Sequence, residues 1–147
     1  MSYTIYLSGE IHSDWREKIK QGITANNLNI EVLSPITDHD TSDNVGVEIL
    51  GDESNKFWKD HKAAKINALR TNNFISRSDI VVVKFGDKYK QWNAAFDAGI
   101  ATGLGIPIIT LHSNELTHPL KEIDASALAV TESPEQVIEI LKYISQP

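Results

Sequence analysis

The run Ile80-Val81-Val82-Val83 constrains this chain more than any other stretch, being unbroken, β-branched and too short for a helix. It is also too apolar for a strand with one wet face, so it reads as a strand covered on both sides, the mark of a parallel sheet. Pro107 to Leu111 repeats the pattern, with Pro107 tolerated because it opens the strand. Between the two, Gln91 to Leu104 holds no proline and many small residues, and Gly105 stops it as a C-terminal glycine does. Strand, helix and strand form a βαβ unit with a right-handed crossover.

The rest of the chain extends that unit in both directions. Tyr3 to Leu7 is a first strand ended by Ser8-Gly9. Ser13 is the expected N-cap of a helix on which Trp15, Ile19, Gly22 and Ile23 recur at helical spacing, with Asn26-Asn27 breaking it. Ile30 to Leu33 is a second strand. From Thr37 to Asn55 the chain turns polar and acidic, and only Val45 to Leu50 reads as structured, so a long functional or disordered loop is expected. Lys56 to Phe74 reads as a helix with Trp58, Leu69 and Phe74 among its buried positions. Ser126 to Val130 is a fifth, short strand. A last helix starts at Ser133 with Pro134 at its first position and Gln136 completing a capping box, and Val137, Ile138, Leu141 and Ile144 form its apolar face. Five strands alternating with helices over 147 residues define one α/β domain, for which the doubly wound order 2-1-3-4-5 is the expectation.

A net charge of −6 argues against polymeric nucleic acid and anionic membrane surfaces as partners, while leaving room for a small phosphorylated ligand. The chain has no cysteine, which excludes disulfides, thiolate catalysis and cysteine metal sites. No signal peptide and no membrane-spanning run are visible, so the cytoplasm is the expected location. No Gly-x-Gly-x-x-Gly or Walker-type loop occurs, and neither a cofactor nor a metal is expected. His39 between Asp38 and Asp40 suggests a metal, but three adjacent residues do not converge readily on one ion.

In open α/β sheets ligands bind beyond the carboxyl ends of the strands where the topology reverses. In the expected order, Ser8-Gly9-Glu10 after the first strand and Lys84 to Asn93 after the third converge on one pocket. A spacing of four puts Asn93 and Asp97 on one helix face. Phe96, Ile100 and Leu104 are the expected sheet-facing stripe, and Ala95, Gly99 and Gly103 share a further face that admits close approach of a second backbone.

Three segments resemble the nucleoside 2-deoxyribosyltransferase superfamily: Ile5-Tyr6-Leu7-Ser8-Gly9, Ser78-Asp79-Ile80-Val81-Val82-Val83, and Phe96-Asp97-Ala98-Gly99 followed by Gly105-Ile106-Pro107-Ile108. More narrowly, Leu7 to Arg16 (LSGEIHSDWR) and Gln91 to Gly99 (QWNAAFDAG) resemble the YtoQ family within it, over nearly the whole chain. The resemblance implies a flavodoxin-like three-layer sandwich. It also implies a homo-oligomer whose subunits complete each other's sites, and cleavage of a nucleoside N-glycosidic bond by a carboxylate on the helix after the third strand. Asp97 falls where the superfamily carries that glutamate, Tyr6 matches a tyrosine near the pocket, and Asp79 matches an aspartate opening the third strand. Two departures stand out. The Asp-x-Gly-Thr-like run before the glutamate is here Gln91-Trp92-Asn93-Ala94, and Asp is shorter than Glu by one methylene, about 1.3–1.5 Å.

Displacement at an anomeric carbon needs an anionic oxygen beneath the sugar and a proton for the departing base. Asp97 serves as nucleophile or as electrostatic partner of an oxocarbenium ion, with the helix N-terminus expected to keep it ionised. Glu10, Asp87 and His12 are equally placed as the acid. Tyr6, Phe85 and Trp92 are candidates to stack a base, and Ser8, Gly9 and Asn93 complete the expected binding set. Asp97, Glu10 and Asp79 form the candidate catalytic set, although a strand-entrance aspartate such as Asp79 also fits a purely structural role. The partner is then a nucleoside or nucleotide. The alternative is a protein that kept the pocket for a nucleotide-like ligand and lost the chemistry.

Overall fold

Strand β1 (Tyr3–Gly9) shows how the sheet divides its side chains between two layers. Successive strand residues point to opposite faces. Ile5 and Leu7 therefore enter one core with Val82, Ile109 and Leu111, while Tyr6 enters the other with Val81, Val83 and Ile108. The computed structural model describes residues 1–147 and places β1 between β2 (Ile30–Leu33) and β3 (Ile80–Lys84). Strands β4 (Ile108–Leu111) and β5 (Ala129–Thr131) follow, giving the all-parallel order β2-β1-β3-β4-β5 expected from the sequence.

Helices α1 (Trp15–Ala25) and α6 (Pro134–Ile144) cover the first core, where Trp15, Ile19, Ile23, Val137 and Leu141 are buried. They pack tightly, since a Cβ on Gly22 would lie 2.3 Å from the Ile138 side chain. Helices α3 (Lys56–Ser76), α4 (Trp92–Gly103) and α5 (Lys121–Ser126) cover the second. The α6 cap forms as expected, with Ser133 Oγ accepting the Gln136 amide at 3.3 Å and Pro134 in the first turn.

Four expectations are corrected. The Thr37–Asn55 stretch is largely a helix, α2 (His39–Leu50), capped by Asp38 Oδ1, which accepts the Thr41 amide at 2.8 Å. It escapes a periodicity reading because it buries only Gly46, which lies against Lys62 and Ala63 of α3. At α1, Asp14 rather than Ser13 holds the cap position, and the Ser13 hydroxyl is drawn instead to Glu10. On α3, Trp58 and Leu69 face solvent, because this helix buries fully only Ala63 and Ile75. On α4 the sheet-facing residues are Ala94, Asp97, Ala98 and Ala101, while Phe96 and Leu104 point outward. Small residues let this helix lie close against the strands, and the large ones are left on its outer side. Helix α5 and the 3-10 turn at Asn114–Leu116 carry no distinctive sequence pattern. No helix is long and apolar enough to cross a membrane.

Candidate active site

Beyond the carboxyl ends of β1 and β3, where the chain order reverses, lies a cleft of about 720 Å³. Its floor is set by the turn that leaves β1. Gly9 has φ +107°, and a Cβ there would stand 2.1 Å from the Lys84 carbonyl oxygen, so only glycine lets the two strands run together to their ends. The Glu10 amide then donates to that same carbonyl at 3.0 Å.

Arg16 locks the turn. It is buried, and its Nε, Nη1 and Nη2 donate to the carbonyls of Leu7 (3.0 Å), Glu10 (2.5 Å) and Gly9 (3.0 Å). Its guanidinium lies over the Trp15 ring, whose Nε1 also donates to the Glu10 carbonyl at 2.7 Å. Loss of water lowers its pKa to about 10, against the opposing influence of Tyr6 and Glu10, so it stays charged at neutral pH. The sequence reading gives Arg16 no role. The available signal is its position three residues before Ile19 and seven before Ile23, on the apolar stripe.

Asp97 is, with Glu10, one of two buried carboxylates of the cleft. It sits in the second turn of α4, and Ser8 Oγ donates to its Oδ2 at 2.5 Å, leaving Oδ1 without a protein hydrogen bond. Burial pushes its pKa above the ordinary carboxylate value, and the Ser8 bond opposes that shift only in part. Burial is the larger of the two influences, so it works against the ionised form that the helix N-terminus is expected to favour. Tyr6 lines the cleft with its side chain fully buried. Thr71 lies beside the hydroxyl, yet no group completes a hydrogen bond to it, and burial pushes its pKa up to about 12.

Of the other expected site residues, Gly9, Glu10, His12, Trp92 and Asn93 line the same cleft. Trp92 and Asn93 are exposed at its rim, on the first turn of α4. Ser8 reaches it only through Asp97. Three expectations fail on position. Phe85 is buried in the second core and offers no face to a ligand. Asp87 is exposed on the loop before α4, outside the cleft, and accepts the Ser113 hydroxyl. Asp79 stands at the amino end of β3, the opposite edge of the sheet, where its Oδ2 accepts the Thr4 amide at 2.7 Å. It pins β3 to β1 from below and cannot touch a molecule in the cleft.

Glu10 is buried at the cleft, but its oxygens are engaged by its own loop. Oε1 accepts the amides of His12 and Ser13 (the latter at 2.9 Å), and Oε2 accepts the Ser13 hydroxyl. Sequence reasoning missed Tyr89 and His39, which meet the His12 ring at centroid distances of 4.8 and 5.6 Å and close one end of the cleft. His39 is hidden because its segment reads as a loop. Lys65, Arg70 and Lys90 supply positive charge along the walls. His112 lies outside, buried, with Nε2 2.9 Å from Asp124 Oδ2.

A parallel 2-1-3-4-5 sheet with a cleft and a buried carboxylate at its switch point defines a doubly wound, flavodoxin-like α/β domain with a ligand-sized site. Residues 6–145 match the family described as nucleoside 2-deoxyribosyltransferase YtoQ. The uncharacterized protein YtoQ of Bacillus subtilis (strain 168) is 44% identical over 144 residues, covering 98% of this chain and 97% of that one. The chain belongs to the nucleoside 2-deoxyribosyltransferase YtoQ family.

Among solved structures, a 2-deoxyribosyltransferase from Bacillus psychrosaccharolyticus superposes with a TM-score of 0.58 at 19% identity, over 92% of this chain and 90% of that one. A conserved protein from Enterococcus faecalis V583 gives 0.62 at 16% identity, over 98% and 99% of the chains. The CMP N-glycosidase BcmB of Clostridium botulinum gives 0.54 at 12% identity, over 95% and 98%. At such identities the likeness is one of fold.

Proposed function

We propose that this chain breaks the N-glycosidic bond of a nucleoside or nucleoside monophosphate, by hydrolysis or by transfer of the sugar, with Asp97 at the reacting carbon. The observation that carries the reading is Asp97 itself, a buried carboxylate in a ligand-sized cleft with one oxygen held by Ser8 and the other unpartnered. Support comes from the family description and from two neighbours of the same fold whose names denote such reactions.

Two courses balance. In one, Asp97 attacks the anomeric carbon, and a glycosyl ester forms as the base leaves with the bonding pair and takes up a proton. Water or an acceptor base then attacks the same carbon, loses a proton and frees the Asp97 carboxylate. In the other, the base leaves with the bonding pair and takes up a proton, and Asp97 stabilises the oxocarbenium ion while water attacks it, one water proton passing to solvent. The shorter aspartate favours the second, because a nucleophile misplaced by about 1 Å can lose about 100-fold in rate. With Glu10 engaged by its loop and Asp87 outside the cleft, His12 is the remaining candidate donor to the leaving base. Lys65, Arg70 and Lys90 suit a 5′-phosphate.

Incubation with deoxynucleosides, ribonucleosides and their monophosphates tests the reading, with free base measured by chromatography. At least one compound should release base, and Asp97→Asn should lower that release at least about 100-fold while still melting cooperatively. One observation favours a second reading, binding without turnover: both carboxyls other than Asp97 that the sequence offers as acids have protein partners elsewhere. Melting raised by a nucleotide, with no base released from any compound, would establish that reading and end the first.

A further inference from the structure

Helix α2 is surplus to the sandwich. No residue of it enters either core, it packs on α3, and it buries only Gly46. Yet it is firmly placed. Asp38 caps it through the Thr41 amide and hydroxyl, and the Asn67 side chain of α3 donates to the Ser42 carbonyl at 3.0 Å. What it presents is one wall of the cleft, through His39, Ser42 and Asp43. A spacing of four puts His39 and Asp43 on one face of the helix, one turn apart.

These three residues offer different chemistry. The His39 ring stands 5.6 Å from that of His12, which stands 4.8 Å from Tyr89, so aromatic faces from three segments line this end. The Ser42 hydroxyl is taken by the His39 carbonyl at 3.3 Å. The Asp43 side chain takes part in no hydrogen bond, and no ion pair ties it to Lys65, Arg70 or Lys90. Of the three carboxylates lining the cleft, Glu10 is engaged by its loop and Asp97 is held by Ser8. Asp43 alone keeps both oxygens free.

We propose that α2 reads the base of the ligand, with Asp43 accepting a hydrogen bond from an exocyclic amine while the ring lies against His39 and His12. A carboxylate is an acceptor with no proton to give, so it pairs with an amine and repels a ring carbonyl. A phosphate would likewise meet it with like charge.

The reach agrees. Four residues of helix rise about 6 Å. From the centre of a six-membered ring to its amino nitrogen is about 2.7 Å by ordinary bond lengths, and a hydrogen bond adds about 2.9 Å. A base beside His39 therefore brings its amine to Asp43. The ligand class is an amino-substituted base on its sugar, cytosine or adenine rather than their oxo counterparts uracil and hypoxanthine. The part this plays in turnover rests on the glycosidic reading above, whereas the part it plays in binding does not.

Titration calorimetry with two matched pairs tests the assignment: cytidine against uridine 5′-monophosphate, and adenosine against inosine 5′-monophosphate. The native chain should bind the amino member of at least one pair about tenfold or more tighter, the effect of one hydrogen bond to a charged group. Which pair shows it tells a pyrimidine site from a purine site. Asp43→Asn should bring the members of that pair within about threefold, because an amide can turn to accept from an amine or donate to a carbonyl. Asp40→Asn removes the same charge from α2 at a position outside the cleft and should keep the native preference. No binding of any of the four, equal affinity within both pairs, or a preference for the oxo members would overturn the assignment. So would a preference that survives Asp43→Asn or vanishes in Asp40→Asn. Base release followed on the same compounds keeps the two readings apart, since discrimination in binding with no base released would end the glycosidic one and leave α2 its role.

Discussion

Ser8 Oγ donates to Asp97 Oδ2 at 2.5 Å, joining the end of β1 to the second turn of α4 across 89 positions of chain. The bond exists because of two periodicities. Strand alternation turns Tyr6 and Ser8 toward the α4 side of the sheet, and helical spacing puts Asp97 on the same buried face as Ala94, Ala98 and Ala101. A larger residue at any of those alanines would hold the helix off and break the reach. The carboxylate is thus dry enough for burial to raise its pKa and close enough to one hydroxyl to be partly compensated.

That balance sets the acid side of the activity profile. The ionised carboxylate is the form that meets an oxocarbenium ion, so kcat/KM falls as pH drops through a value above the ordinary 3.8. Ser8→Ala removes the influence that favours the ionised form and moves this limb to higher pH. A full pH profile of both proteins checks it; a limb that stays in place would remove Asp97 from the titrating role.

The same shift has a stability consequence of definite sign. Asp97 is raised in the folded state, so its contribution is fully present below the unfolded value of 3.8 and is lost as pH rises through the folded pKa. An asparagine in its place has no charge to desolvate and can still accept from Ser8. Asp97→Asn should therefore melt above the native chain at neutral pH, with the gap narrowing as pH falls through the raised folded pKa and reaching its minimum by 3.8. Calorimetry across that range decides it, and a variant less stable at neutral pH would contradict the sign.

The central strands were legible because a buried parallel strand reads as a near-continuous apolar run, as Ile80–Val83 and Ile108–Leu111 do. Their order is not encoded in any spacing and was expected only from the chain's length and alternation, which the sheet bears out. Asp97 was legible from its segment and from its place after β3. Helix α2 was not, since a helix resting on one neighbour through Gly46 needs no apolar face. Neither was the outward turn of Phe96, because hydrophobicity does not say which side of a helix meets the sheet. The employment of Glu10 by its own loop depends on the turn geometry at Gly9 and Arg16, which no spacing encodes.

Tyr6→Phe separates stability from function. The hydroxyl is buried and unpartnered, a state that costs about 1–3 kcal/mol by mutational measure, so its removal should raise stability by up to that amount. If the hydroxyl instead bonds a ligand in the cleft, the variant binds that ligand up to about 10-fold more weakly, as for one neutral hydrogen bond. Urea unfolding and titration calorimetry read the two effects on one preparation. A destabilised variant would mean that the hydroxyl has a protein partner after all.

Glu10→Gln tests whether this carboxylate is a scaffold or an acid. A glutamine offers one acceptor oxygen to three donors and turns an amine toward the rest, for a loss of about 1–3 kcal/mol. Base release should stay within about tenfold of native, whereas removing a general acid lowers the rate by about 10²–10⁴. A larger drop with stability intact would return Glu10 to the reaction.

Gly9→Ala should be the most damaging small change in the site, and Gly51→Ala provides the control. Both glycines have positive φ, +107° and +91°, so both replacements store backbone strain of about 1–3 kcal/mol. At Gly51 the new methyl group meets nothing within 4 Å and that strain is the whole effect. At Gly9 it would stand 2.1 Å from the Lys84 carbonyl oxygen, main-chain atoms of the paired strand that cannot swing aside as a side chain would. The alternatives are to part β1 from β3 or to unfold the turn that Arg16 holds, and either displaces Ser8 from Asp97. Gly9→Ala should therefore lose clearly more stability in urea than Gly51→Ala and should also lose ligand binding, while Gly51→Ala keeps it. Equal losses in the two variants would show that the strands yield at no cost and that Gly9 is there for its φ alone.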